Sequence, residues 1–239
     1  APAMIKYLED KSRVRYAVAE KYPDYYQHVP GSLPGGRSLD PELFDTSVLG
    51  DELENLRRPS PSTLLMGKIS WTARDAHIAM ARESGWRFKI LWMMLRYKLD
   101  FKWRRKSKFD RRAGLGNSLV CALRASLLDR KVPLWLNTDF RDFVLDNGRV
   151  TGIKVVSKGR ELTLNARRGV IIGAGGFEQN QTLREKYLPQ PTKTSWSATP
   201  PGNNTGAALE AGMAAGAATD LLEWAWWSPT IPVVGEEKP

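Results

Sequence analysis

The sequence has very few residues of the kinds that form disulfides and metal sites. Cys121 is the only cysteine among 239 residues, so an intramolecular disulfide is excluded. It lies in an apolar helical stretch, and we interpret it as a packed thiol in a reducing compartment rather than a reactive one. The two histidines, His28 and His77, are isolated and lack ligand spacing. We therefore expect no metal site.

Long apolar runs are also missing. The longest, Ile90–Leu95, is far shorter than the roughly 20 residues that span a bilayer. Residues 1–6 contain no apolar core of a secretory signal. These absences favour a cytoplasmic protein. The first residue is not methionine and residues 232–239 do not resemble a capped element, so we expect this chain to be part of a longer one.

The net charge of +10 is concentrated in one segment. Residues 85–112 contain 11 Lys or Arg and two acids, a net charge of +9, and the rest of the chain has 25 basic and 24 acidic residues. Apolar residues alternate with Lys and Arg from Trp86 to Trp103, which predicts an amphipathic basic helix. Helical patterning covers residues 70–112, within a basic segment, 65–112, that resembles an insertion.

The pattern changes from helices to strands near Pro133. Before it, we predict a helix that runs through Lys21 and another over residues 114–130. After it, two turn sequences, Asp146-Asn-Gly148 and Lys158-Gly159, separate short apolar stretches and predict an antiparallel meander. The predicted strands are residues 134–136, 140–145, 149–156, 160–164 and 169–172, and helices follow near residues 179–187 and 205–216. The order indicates an α/β fold.

Several of these stretches resemble the FAD-dependent fumarate reductase and ketosteroid dehydrogenase superfamily. The family's strand, hairpin and glycine turn are similar to residues 132–138, 146–152 and Arg168-Gly-Val-Ile-Ile-Gly-Ala-Gly-Gly-Phe-Glu178. Further similar stretches are Asn203-Asn-Thr-Gly206, residues 211–220 and Ala225-Trp-Trp-Ser-Pro229. Together with Pro23-Asp-Tyr-Tyr26 and Gly36-Arg-Ser-Leu39, they resemble the 3-ketosteroid Δ1-dehydrogenase branch.

The resemblance implies a Rossmann-like FAD-binding domain fragment with an antiparallel β-meander and an added basic helical segment. Relatives carry an N-terminal GxGxxG fingerprint, and no stretch here fits it. Gly114-Leu-Gly-Asn-Ser-Leu119 lacks the third glycine and follows a basic helix rather than a strand. Residues 1–239 would therefore be the central part of an FAD-binding domain, without the GxGxxG unit and the substrate cap domain.

Cofactor contacts follow from the same resemblance. The glycine turn should lie against FAD, because residues without a Cβ let backbone N–H groups approach a ligand closely. The alternative to this cofactor role is an ordinary tight turn between a strand and a helix. The loop Asn203–Gly206 should cap the next helix and contact the flavin, although Ala207 replaces an Asp of the family. Phe140 matches a position facing the adenine, or is a core residue. The cofactor-binding candidates are Phe140, Ala174, Gly175, Gly176, Phe177, Asn204, Thr205 and Gly206.

Tyr25 resembles the first active-site tyrosine of the steroid branch. In relatives it hydrogen-bonds a second tyrosine, which removes the C2 proton while hydride passes from C1 to flavin N5. A phenol can donate, accept and titrate, which suits this role. Tyr26 competes for the assignment, and a loop tyrosine without function is the alternative. Trp226 and Trp227 either line an apolar steroid pocket or pack in the core.

The function implied is FAD-dependent Δ1-dehydrogenation of a 3-ketosteroid, with a steroid-like apolar substrate and an external electron acceptor. A fumarate-reductase-like or other FAD oxidoreductase is the alternative enzyme. Residues 85–108 could instead define a basic binding module. Two interpretations of this segment remain. It could bind the anionic surface at the inner face of the membrane, or it could be a helix packed on the protein with a solvated basic face. Nucleic acid is less favoured, since no recognised motif is present.

Overall fold

The computed structural model describes residues 2–227 and divides into two compact units, residues 1–133 and 134–239. The first unit begins with helix α1 (Pro2–Lys11), followed by strands β1 (Tyr16–Ala19) and β2 (Ser38–Pro41), which pair antiparallel. Strands β3 (Phe44–Asp45) and β4 (Arg112–Ala113) form a second antiparallel pair. A 3-10 helix, Thr46–Asn55, follows β3.

The predicted helix through Lys21 is wrong, because α1 ends ten residues earlier. The hydroxyl of Ser12 donates to the carbonyl of Leu8 at 2.5 Å and accepts from the backbone N–H of Val14 at 3.1 Å. Such local bonds from serine compete with the helix ladder. Val14 is then buried, and the β-branched and aromatic residues that follow it form β1 rather than more helix.

The segment predicted as helical over residues 70–112 contains three helices, but residues 105–111 are not helical and Arg112 belongs to β4. The helices are α2 (Ala73–Met80), α3 (Trp86–Leu99) and α4 (Phe101–Arg104). Thr72 and Asp75 form a reciprocal capping box that starts α2. Gly85, with φ 79°, starts α3, and a non-helical Asp100 separates α3 from α4. Positive φ is inexpensive for glycine, which explains the break before α3.

Helix α5 (Leu115–Asp129) supplies the core of the first unit. Cys121 and Ala125 are buried against Leu49 and Ala113, with larger apolar side chains packed around them. Small side chains on this face let neighbouring backbone approach closely. Burial raises the pKa of Cys121 to about 11, so the thiol is protonated and unreactive, as the sequence indicated.

The second unit contains the predicted meander. Strands β5 (Thr138–Asp146), β6 (Arg149–Ser157) and β7 (Arg160–Asn165) form a three-stranded antiparallel sheet. Asn147 and Gly148 both have positive φ, and so do Lys158 and Gly159, as two-residue hairpin turns require. The two helices that follow are α6 (Gln181–Tyr187) and α7 (Ala207–Ala214).

Two predicted strands of this unit are not formed within the described residues. Neither 134–136 nor 169–172 pairs with another strand among residues 2–227. Their apolar side chains are exposed, most of all Ile171 at 98%. A strand is stable only when its backbone groups are paired, so apolar patterning alone does not produce one here.

Candidate cofactor site

The glycine turn 173–176 and the loop 203–206 lie directly against each other. Gly175 has φ 75°, and a Cβ on it would lie 2.4 Å from Oδ1 of Asn204. Gly206 has φ 79°, and a Cβ on it would lie 2.5 Å from Cδ1 of Leu183. Both the backbone conformation and the close approach therefore require glycine at these two positions.

Backbone hydrogen bonds join the two segments. The N–H of Gly206 donates to the carbonyl of Gly176 at 3.1 Å, and the N–H of Gln179 donates to the carbonyl of Asn204 at 3.2 Å. The side chain of Asn180 caps α6 at Leu183 and donates to the carbonyl of Thr205 at 2.9 Å. The residues predicted to bind the cofactor on either side, 174–177 and 204–206, are thus brought together.

The loop supplies the N-cap residue of the next helix, as predicted, but no side chain that caps it. The N-cap of α7 is Gly206 in the left-handed conformation, with no side-chain cap hydrogen bond. Asn204 has φ 50°, and its side-chain Nδ2 donates to Oε1 of Glu178 at 2.6 Å. That bond takes the amide group away from the helix, and the N-terminal N–H groups of α7 are left without a side-chain partner from the loop.

Glu178 was missed by the sequence reasoning, although it directly follows the glycine turn. Its Oε1 accepts hydrogen bonds from Thr199 Oγ1 and Asn204 Nδ2, both at 2.6 Å. Burial alone would raise the pKa of Glu178, but these hydrogen bonds leave that pKa below its ordinary value. The carboxylate is therefore charged and engaged at neutral pH.

The outer side of the joined segments is open. Residues 173–176 are exposed, and so are Thr205 and Ala207, whereas Gly206 is buried beneath them. Exposed backbone, small side chains and the N-terminus of α7 form a surface that a cofactor can approach closely, so the residues present fit a dinucleotide. Ala207 places a methyl group where the resemblance led us to expect a carboxylate.

Phe140 lies on β5 and is half-buried. Its ring is 5.1 Å from that of Phe143, at an interplanar angle of 59°. Aromatic pairs of this geometry stabilise a core, so the packing role is established and the adenine contact stays a prediction. Its backbone pairs with Val155 in the meander, next to an irregularity between Phe140 and Asp142.

Tyr25 lies in the first unit, and its side chain is 69% exposed. Its hydroxyl is 3.2 Å from that of Tyr22, and the two rings meet edge to face. The hydrogen bond to Tyr25 raises the pKa of Tyr22. Tyr26, the competing candidate, packs its ring against His28 instead. Tyr22 is not the second tyrosine that the resemblance implies, so the active-site role of Tyr25 stays a prediction.

The remaining site predictions concern the end of the described chain and metal binding. Trp226 and Trp227 are 83% and 60% exposed, so they do not pack in the core of the second unit. Within residues 2–227, no group of three His, Cys, Asp or Glu side chains is placed to hold a metal ion. In the same range, no helix is both long and apolar enough to cross a membrane.

Comparisons with known proteins agree on the family. The FAD binding domain family matches residues 1–236. The 3-oxosteroid 1-dehydrogenase of Comamonas testosteroni is 42% identical over 90% of this chain and 37% of its own length. The enzyme of that name from Mycolicibacterium smegmatis is 33% identical over 98% of this chain and 41% of its own length.

A solved structure is similar over almost all of the chain. It is the 3-ketosteroid delta1-dehydrogenase from Sterolibacterium denitrificans in complex with 1,4-androstadiene-3,17-dione, with 51% identity and a TM-score of 0.94. The match covers 98% of this chain and 42% of that one, so the chain spans about two fifths of the length of such relatives. Because the family model matches residues 1–236, the chain belongs to the FAD binding domain family.

Proposed function

We propose that the protein containing this chain is an FAD-dependent 3-ketosteroid Δ1-dehydrogenase. The observation that carries the proposal is the likeness to a solved enzyme of that kind, at 51% identity over 98% of the chain. The substrate would be an apolar steroid that loses a proton to a tyrosine of the longer protein and a hydride to bound FAD, and an external electron acceptor would then reoxidise the flavin. Because the chain spans only part of its relatives, the activity belongs to the longer protein.

In this proposal the joined segments hold the cofactor. The exposed residues Ala174, Gly175 and Gly176 and the half-buried Phe177 would contact FAD from one side, and Asn204–Gly206 from the other. Phe140 would place its backbone near the adenine. Support comes from the two glycines, whose missing Cβ atoms permit the close packing of turn and loop.

Tyr25 would support the residue that removes the substrate proton. Its hydroxyl forms a hydrogen bond with that of Tyr22. Because a phenol can both donate and accept, the same hydroxyl can also hydrogen-bond a further tyrosine. The proton-abstracting tyrosine would lie outside this chain. Trp226 and Trp227, with exposed rings, would line the apolar pocket for the steroid.

The Rossmann-like part of the fold would be completed by residues outside this chain. Segments 134–136 and 169–172 are apolar, exposed and unpaired within the described residues, as expected of strands that lack their neighbours. We infer that a unit with the GxGxxG fingerprint supplies those neighbours, and that a separate cap domain covers the substrate.

Purification of the full-length protein tests the function. It should carry FAD, recognised by its absorbance spectrum, and reduce a dye acceptor when a 3-ketosteroid is added. Fumarate in place of the steroid, with a reduced dye as donor, is the arm for the alternative enzyme. A colourless protein that neither binds added FAD nor gains thermal stability from it would contradict the proposal.

A second proposal concerns the basic segment, residues 85–108, and rests on the exposed face of α3. Five large apolar side chains lie outward at helical spacing, and Met93 on the opposite face is 4% exposed. The exposed fractions are 73% for Phe88, 62% for Leu91, 54% for Trp92, 43% for Leu95 and 55% for Leu99. Apolar residues also lie on the other faces of α3, so the predicted amphipathic pattern is weak, and the proposal rests on this exposed apolar row alone.

The charges around this row favour an anionic membrane as its partner. Arg87, Lys98, Lys102, Arg105 and Lys106 are exposed beside it. Lys108 is exposed as well, whereas Lys89 pairs with Asp75 at 2.5 Å and Arg96 is half-buried, where burial lowers its pKa. A packed helix with a solvated basic face is the alternative, because the exposed cations are also accessible to water. In this proposal the segment would lie in the plane of the membrane where an apolar steroid partitions.

A further inference from the structure

The side chain of Glu178 contacts both the glycine turn and the segment 199–204. Its side chain folds back over the glycine turn, and Oε2 lies 2.9 Å from where a Cβ on Gly176 would be. The other oxygen, Oε1, accepts from Thr199 and Asn204. One carboxylate therefore contacts the turn and holds two points of the segment 199–204.

The segment between those two points contains little regular structure of its own. It includes Pro200, Pro201 and Gly202, and it ends at Asn204 in the left-handed conformation. Asparagine adopts that conformation more readily than most residues other than glycine. The hydrogen bond from Asn204 Nδ2 to Glu178 fixes the side chain of this residue.

The surroundings of Glu178 are themselves anchored. Arg184, which is 4% exposed, donates to the backbone carbonyl of Glu178 at 3.3 Å and to Thr192 Oγ1 at 3.0 Å. The side chain of Gln179 donates to the carbonyl of Thr199. The carboxylate of Glu178 therefore adds two side-chain hydrogen bonds to a segment whose carbonyl groups at Thr199 and Asn204 are also bonded by Gln179.

We propose that Glu178 is a positioning residue for the cofactor, because its carboxylate holds Asn204 and the following Thr205 and Gly206 in the conformation that faces FAD. This inference rests on the proposed cofactor role of those residues. Glu178 itself need not touch the cofactor. Hydrogen bonds to a charged acceptor are among the stronger ones in proteins, so two of them can order a short segment.

The test is the affinity of the full-length apoprotein for FAD, measured by flavin fluorescence, together with amide hydrogen exchange of residues 199–206. Glu178→Ala should weaken FAD binding about tenfold or more and speed exchange in the segment. Glu178→Gln keeps an oxygen that can accept both bonds and should stay within about threefold of the wild type. Thr199→Val, which removes one of the two bonds, should lie between them.

Glu161→Ala is the matched control, since it removes an exposed glutamate from β7 in the same unit. Wild-type affinity and exchange in both Glu178→Ala and Thr199→Val would overturn the proposal, as would equal losses in Glu161→Ala. If Glu178→Ala does not fold, Thr199→Val alone decides between the two outcomes. A wild-type protein that binds no FAD is a different failure, because it removes the proposed function itself.

Discussion

The two units present their predicted functional residues in different ways. In the second unit, turn and loop are tied by backbone hydrogen bonds and by glycines whose Cβ atoms would collide with neighbours. In the first unit, Tyr25 and the apolar row on α3 are side chains displayed at the surface. The second arrangement depends on backbone geometry, and the first depends on side-chain chemistry. Substitutions in the second unit should therefore act by adding a Cβ to crowded backbone, and those in the first unit by removing a side-chain group.

The largest effect is expected at Gly206. In Gly206→Ala, a φ of 79° costs about 1–2 kcal/mol, and crowding against Leu183 and Phe177 adds about 1–3 kcal/mol. If most of this appears in cofactor affinity, FAD binding weakens about 30-fold or more. Titration of the full-length apoprotein with FAD measures it.

Gly148→Ala provides the control for this comparison. Gly148 has φ 77° in a hairpin turn, and a Cβ there would meet nothing within 4 Å. It therefore has the same backbone penalty without the crowding beside the loop. Equal FAD affinity of the two variants would mean that the close packing of turn and loop does not matter for the cofactor.

The next effect concerns Tyr25. Removal of its hydroxyl in Tyr25→Phe should lower kcat about tenfold or more and largely preserve steroid binding, because a proton-transfer partner is lost while the apolar ring remains. Steady-state kinetics of the full-length enzyme with a 3-ketosteroid measure both. Tyr26→Phe, next to it but packed on His28, is the control. A Tyr25→Phe enzyme with unchanged kcat would return this residue to a packing role.

A smaller effect is expected on α3. Trp92→Ser combined with Leu95→Ser removes the centre of the apolar row and should lower binding to anionic vesicles about tenfold, with FAD content unchanged. Sedimentation of the full-length protein with vesicles measures the bound fraction. Binding should also weaken in high salt, because part of it is electrostatic.

Val120→Ser on α5 is the control, because Val120 is an apolar residue that is 50% exposed and lies outside the basic segment. Ile90→Ser would not serve, since Ile90 is partly buried. Wild-type protein that stays in the supernatant with anionic vesicles at low salt would show that α3 is no membrane anchor. Its apolar row would then need another partner, such as the rest of the longer protein.

The sequence predicted the elements that local residues determine. The meander follows from two glycine-containing turns, α5 from an apolar helical pattern, and the glycine turn from its composition. Glu178 could not be found in this way, because its partners Thr199 and Asn204 are 21 and 26 residues away. The outward direction of the apolar row on α3 was also hidden, since alternating apolar and basic residues do not say which face packs inward.

The two strands at 134–136 and 169–172 illustrate the other limit. An apolar pattern indicates that a stretch can be buried in a sheet, but the strand forms only when partner strands are present. Ile171 remains 98% exposed in this chain. Ser12 shows the opposite case, because the helix that the wider pattern would have continued ends beside this residue and its local hydrogen bonds.

The smallest functional effect is expected at Cys121, in the core of the first unit, where neither cofactor loops nor the surface is touched. Cys121→Ala should leave FAD affinity and vesicle binding unchanged and lower Tm modestly, because a small buried side chain is lost. The pH dependence sharpens this. The folded-state pKa is raised to about 11, so the neutral thiol stabilises the fold fully below the unfolded-state pKa. That contribution is lost as pH rises toward 11, and the Tm difference between wild type and Cys121→Ala should therefore shrink between pH 9 and pH 11. A difference in Tm that stays constant across this range would contradict the burial of the thiol.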